Sequence, residues 1–147
     1  MQTRTPVLNY YLGYEKHVTH LLYKFGFPLH STKHNAHQWF FGQAHLSHSG
    51  TTPTLLYAYG GFQVSIRPSY SGSRGQLWLE NGGAYVVANI RGGGEFGPAW
   101  HQAGLKMNRQ RIYDDLIAVA EDLSARGITS PRHLGVYGGS NGGLLTG

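Results

Sequence analysis

Gly138, Ser140 and Gly142 form a G-x-S-x-G pattern inside HLGVYGGSNGGLL, residues 133–145. A serine hydroxyl at its ordinary acidity is a weak nucleophile, so it needs a base within reach and a backbone that presents it. Glycine neighbours supply the second condition. Without Cβ atoms the chain can fold sharply between a strand and a helix, and a substrate carbonyl can approach the hydroxyl. The apolar run 134–137 supplies the strand, which makes Ser140 the candidate nucleophile for acyl transfer. The backbone N–H of Asn141, at the start of the expected helix, then points toward the developing oxyanion. The bland alternative is a flexible Ser/Gly turn, since 22 glycines in 147 residues will bracket some serines by chance. The strand-like lead-in and the four glycines around Ser140 favour the elbow.

Two other constellations invite chemistry. Gly92, Gly94 and Gly97 satisfy G-x-G-x-x-G after an apolar run, and Asp114 and Asp115 follow at roughly the spacing of a dinucleotide site. That motif needs a helix opening at the glycine turn, where free N–H groups meet a pyrophosphate. Here Pro98 follows Gly97 at once and Gly104 comes soon after, so the continuation reads as a loop. An ordered glycine loop beside a pocket is the preferred expectation, with Arg91 and Glu95 pairing with each other or with a neighbouring segment. A dinucleotide-binding protein using loop 92–97 stays as an alternative. The second constellation is histidine: His17, His20, His30, His34, His37, His45 and His48 fall in the first fifty residues. The pairs 34/37 and 45/48 repeat an i, i+3 spacing, yet no carboxylate ligand stands near and no HExxH occurs. No metal and no cofactor are expected.

The elements that must position Ser140 are legible from residue 51 onward. Runs 54–59, 84–90 and 134–137 read as strands, the second so uniformly apolar that it suits a strand buried on both faces of a parallel sheet. Residues 62–75 are rich in serine and glycine and read as a surface loop, and Leu77–Leu79 begin a short helix ended by Gly82 and Gly83. Residues 109–126 are the clearest helix, with Ile112, Leu116, Val119, Ala120 and Leu123 on one stripe, Asn108 as expected cap and Gly127 as stop. Burying Ile112, Leu116 and Leu123 contributes roughly 5 to 9 kcal/mol before entropy. Asp114 and Asp115, near the start of that helix, read as caps or salt-bridge partners rather than catalytic acids. Strand, loop, strand, helix, strand, elbow is an α/β order with a parallel sheet.

Composition excludes other classes. The formal charge is +5 and the isoelectric point about 9.6, but only 13% of residues are charged and the basic ones are scattered, so no nucleic-acid partner is expected. With no cysteine there is no disulfide framework and no thiol nucleophile. No apolar run approaches membrane-spanning length and no signal-peptide layout follows Met1, so the expectation is a cytoplasmic protein with no membrane partner.

Several stretches together resemble the prolyl oligopeptidase (prolyl endopeptidase) family of serine peptidases, in the front half of its α/β-hydrolase domain. They are LLYAYGGF at 55–62, ANIRGGGEFG at 88–97, WH at 100–101, YDDLIAVAEDL at 113–123 and TSPRHLGVYGGSNGGLL at 129–145. The resemblance implies a partial α/β-hydrolase fold, truncated after the nucleophile elbow, over residues 51–147. It implies hydrolysis of short peptides on the C-terminal side of proline, through an acyl-enzyme on Ser140. By the same resemblance the Tyr59 hydroxyl joins the Asn141 N–H as the oxyanion hole, and Phe62 lines the pocket for the proline ring. On its own, Tyr59 reads only as an aromatic at a strand end.

The departures shape the expectation. In this fold the triad order is serine, aspartate, histidine. The seven residues after Ser140 include neither acid nor histidine, and His101 and His133 precede it. Residues 1–50 form a histidine-rich, acid-poor segment, expected to be a loosely ordered strand-and-coil region or not native to the family. The alternative to a peptidase is a non-catalytic remnant or binding module of the same ancestry. An incomplete sheet exposes apolar edges, so poor solubility and no turnover are expected of these residues alone. The oligomeric state is left open.

Overall fold

A computed structural model describes residues 25–28, 37–41, 48–67 and 69–147. Three parallel strands, β3 (Thr54–Ala58), β4 (Ala84–Asn89) and β5 (Leu134–Tyr137), lie where the runs of β-branched and aliphatic residues predict them. β1 (Phe25–Pro28) and β2 (His37–Phe41) extend the sheet antiparallel, in the order β1-β2-β4-β3-β5. Two short strands from the first fifty residues therefore join the edge beyond β4. Gln38 of β2 is buried there, and its Nε2 donates to Asp122 Oδ2 at 2.8 Å.

β4 is buried along its whole length, as an apolar strand with neighbours on both sides and both faces must be. β3 alternates, with Thr54, Leu56 and Ala58 turned to the main core. Helix α3 (Gln110–Ala125) lays Ile112, Leu116, Val119 and Leu123 onto that face, where they pack with Val86, Ala88, Ile90 and Leu145. On the other face Leu79, Tyr85 and Val87 form a smaller cluster. There Tyr137 donates to the Tyr85 hydroxyl at 2.9 Å, and Arg74 sits 4.1 Å above the Tyr85 ring. Burial, then the Tyr137 hydrogen bond, push the Tyr85 hydroxyl well above the usual phenol range.

Three local expectations need correction. Residues 72–75 are not loop: α1 (Gly72–Arg74) runs into a π-helical turn (Gly75–Leu79), opened by Ser71, whose Oγ accepts from Arg74 N. Serine and glycine depress helix propensity, but the Trp78 indole donating to Ala84 O at 2.7 Å anchors the segment to the sheet. Asn108 does not cap α3, because it belongs to a 3-10 turn (Lys106–Asn108) that delivers the chain to Arg109. Pro98 does not prolong a loop; it sits in the first turn of the short helix α2 (Pro98–Gln102), a position where its missing N–H costs nothing. Among the described residues no helix is long and apolar enough to cross a membrane.

Arg91 pairs with Asp115, not with Glu95. Asp115 is fully buried; its carboxylate accepts from Arg91 N at 3.0 Å, from Nε at 2.8 Å and from Nη2 at 2.5 Å. These bonds raise the guanidinium further above its ordinary range. Breaking such a pair leaves a charge without its counter-ion, so Asp115→Ala should lower unfolding free energy by about 3–5 kcal/mol. Asp114→Ala, which removes an exposed bond to Gln110 and a minor charge attraction to Arg91, should change it by less than about 1 kcal/mol in the same urea titration.

Candidate active site

At the carboxyl end of β5 the chain turns through Gly138 and Gly139 to Ser140 and enters α4 (Asn141–Thr146). Ser140 has φ 52° and ψ −117°, a region rarely used by residues with a side chain. The surroundings enforce it. A Cβ on Gly142 would stand 2.5 Å from Ala58 O, and one on Gly138 would collide with the Gly142 backbone. Glycine at both places lets α4 start against the end of β3, and the turn lifts Ser140 onto the surface. None of the described residues hydrogen-bonds its hydroxyl.

Asn141 ties this elbow to the neighbouring loop. Its Nδ2 donates to Tyr59 O at 2.6 Å, which brings Tyr59, just beyond β3, beside the first residue of α4. Phe62 and Gln63 follow in left-handed backbone conformations, φ 51° and 56°, and Phe62 is 75% exposed. Phe62 and Asn141 line one cleft of about 330 Å³, together with Gly60, Gln63, His101, Lys106 and Arg109. Asn141 and Phe62 therefore share a cavity at the carboxyl ends of the parallel strands, with Tyr59 bonded to Asn141 at its edge. This is where open α/β sheets place their ligands.

The glycine loop after β4 forms a wall of the cleft. Gly92 has φ 90°, and a Cβ there would lie 2.5 Å from Gly60 O; one on Gly94 would collide with Gln63 O. The space a pyrophosphate would need is filled by the chain's own 60–63 loop, and the helix that follows has five residues and starts beyond the turn. A dinucleotide site on 92–97 is thus displaced by a packing role for the glycines. His101 Nδ1 lies 2.6 Å from Gly92 O, while Gln63 N donates to the same carbonyl at 3.2 Å. Gln63 N also lies 3.1 Å from His101 Nδ1, so the histidine ring, the Gly92 carbonyl and the Gln63 amide meet at one point. His133 lies at the opposite end of β5, with Nδ1 against Ser130 Oγ at 2.9 Å. Neither histidine hydrogen-bonds Ser140.

No group of three potential metal ligands occurs among the described residues. Of the histidine pairs, His34 and His45 lie outside those residues. Lys106 and Arg109 were not anticipated as cleft residues. The signal was present: cations gather at the start of α3, whose first turn holds no acid, against the usual preference at the positive end of a helix.

Glu95 supports the loop from behind. Its Oε1 accepts from Ile66 N at 2.9 Å, while its buried Oε2 has no partner. Burial raises its pKa, the Ile66 bond opposing in part.

The parallel strands, the strained serine elbow and the cleft beside it define a segment of an α/β-hydrolase. Residues 68–147 match the prolyl oligopeptidase family, and the chain belongs to that family. It is 70% identical over 98 residues to an uncharacterised peptidase of Sinorhizobium fredii, covering 67% of this chain and 14% of that protein. It is 49% identical over 102 residues to a prolyl endopeptidase of Elizabethkingia meningoseptica, covering 69% of this chain and 14% of that one. A solved post-proline cleaving enzyme from Rickettsia typhi superposes with a TM-score of 0.78 at 42% identity, over 86% of this chain and 18% of that one. The chain spans about 14% of the length of these curated relatives.

Two measurements check this geometry. Gly142→Ala, forced against a backbone carbonyl that cannot yield, should cost about 1–3 kcal/mol in chemical denaturation. Glu95 has a folded pKa above its unfolded one, so the native state holds the extra proton. Its contribution is fully present below the unfolded pKa and is lost as pH rises through the folded value. Glu95→Gln should therefore flatten the fall in stability just above the ordinary carboxylate range.

Proposed function

We propose that this chain is the nucleophile-bearing part of a serine peptidase that cleaves short peptides after proline. The observation that carries the proposal is Ser140, held at φ 52° between β5 and α4 and followed by the cleft-lining Asn141. A strained residue over-determined by its neighbours marks a place where geometry serves chemistry. In acylation Ser140 Oγ would bond to the scissile carbonyl carbon while its proton passes to a base. The carbonyl oxygen would take the negative charge between the Asn141 N–H and, by the family resemblance, the Tyr59 hydroxyl, donors that stabilise the charge as it develops. Collapse of this intermediate expels the amine and leaves an ester on Ser140, which water then hydrolyses. The base and the acid that orients it follow the serine in the chain order of this fold.

The proline preference rests on relatives named as prolyl endopeptidases and on Phe62, an exposed ring at the cleft. A flat pyrrolidine ring stacks on such a face and brings no N–H that would need a partner. Residues 51–147 would then form the front of the catalytic domain.

With the base and acid that follow Ser140 in this fold present, a fluorophosphonate should label this segment at one residue, and Ser140→Ala should abolish the label. Tyr59→Phe should slow labelling by about 100-fold, the usual effect of deleting one oxyanion donor. Equal labelling of the Ser140→Ala variant, or no labelling of Ser140 with that base and acid present, would favour the non-catalytic remnant instead.

A further inference from the structure

The cleft beside Ser140 carries positive charge that no acid among the described lining residues balances. Lys106 and Arg109 both line it, and none of its lining residues is an aspartate or glutamate. The Arg109 fork is only loosely held: Nη2 reaches Asn141 Oδ1 and Nε reaches the Tyr113 hydroxyl, each at 3.4 Å. Among the described residues, two of its five guanidinium N–H donors find a partner, and neither cation has a carboxylate partner. Lys106 is held in a left-handed conformation, φ 52°, that a residue with a side chain rarely adopts, and this fixes its place on the rim.

We propose that Lys106 and Arg109 form an anion subsite that selects peptides with a carboxylate within one or two residues of the scissile bond. This rests on Ser140 being the nucleophile. Arg109 touches the side chain of the very residue whose N–H would hold the oxyanion. A peptide advances about 3.3–3.6 Å per residue, so a carboxylate near the attacked carbonyl falls within reach of the fork. Arg109 suits the task because its planar donors match the two oxygens of a carboxylate. The carboxylate could be an acidic side chain or a free C-terminus, which present the same chemistry.

The test is a binding titration of the 147-residue chain, followed by amide shifts of cleft glycines. Three tetrapeptides with proline third would be compared: blocked with glutamate fourth, blocked with glutamine fourth, and glutamine fourth with a free C-terminus. At low salt one or both acidic forms should bind about 10-fold more tightly than the neutral one, as expected for a charge-assisted bond. Which form gains identifies the source of the carboxylate. In Arg109→Gln, and independently in Lys106→Gln, the acidic-to-neutral ratio should fall toward one. Equal affinity for all three peptides in the unmodified chain would overturn the anion subsite while leaving the peptide site standing. No shift in the cleft with any peptide would overturn both.

Discussion

The structure depends on how closely three backbone segments approach one another at the carboxyl end of the sheet. β3 lies between β4 and β5, so the loop leaving it must share space with both neighbouring crossings. Gly142 meets Ala58 O on one side, and Gly92 meets Gly60 O on the other. A side chain at either point would force the loops apart by more than the packed strands beneath allow. Because these contacts are made without Cβ atoms, Asn141 and Phe62 come to one cleft, with Ser140 next to Asn141 in the chain and the Tyr59 carbonyl bonded to the Asn141 side chain.

That approach is held by polar bonds behind the cleft. Arg91 and Asp115 lock the end of β4 to α3, and the Trp100 indole donates to Ile90 O at 2.9 Å. His101 closes the same loop from the front through Gly92 O. Loops that carry function are ordinarily the softest parts of a fold. Here the glycine loop has charged and aromatic anchors at its base. The left-handed residues Phe62 and Gln63 are held by hydrogen bonds from Gln63 N to Gly92 O and from Gly94 N to Val64 O.

The parallel strands and α3 were legible because each buries a regular pattern. β4 is apolar at nearly every position and α3 repeats its aliphatics every three to four residues, so periodicity alone locates them to within a residue or two. The segment 72–79 was only half legible, since its helical turns are held by one tertiary contact from Trp78 that local propensity does not register. Of the two partners expected for Arg91, Glu95 or a neighbouring segment, the fold takes the second, and Asp115 is the salt-bridge acid it was read as. Glu95 is near in sequence, but the fold turns it toward Ile66 and brings Asp115 across from α3. In the site, G-x-S-x-G marked Ser140 and Asn141 from the chain alone. Tyr59 and Phe62 came through resemblance, because an aromatic at a strand end carries no signal of its own. The cations of the cleft were visible only as an unfavourable charge pattern at the head of a helix.

The central claim is that the elbow and the β3 loop together form a pre-arranged site for a tetrahedral oxyanion. Its most direct test is a crystal structure of the chain with an organophosphonate on Ser140 Oγ. The account predicts the phosphoryl oxygen about 2.7–3.1 Å from both Asn141 N and the Tyr59 hydroxyl, with Ser140 still at positive φ. A phosphoryl oxygen turned to solvent, with Tyr59 out of reach, would contradict it.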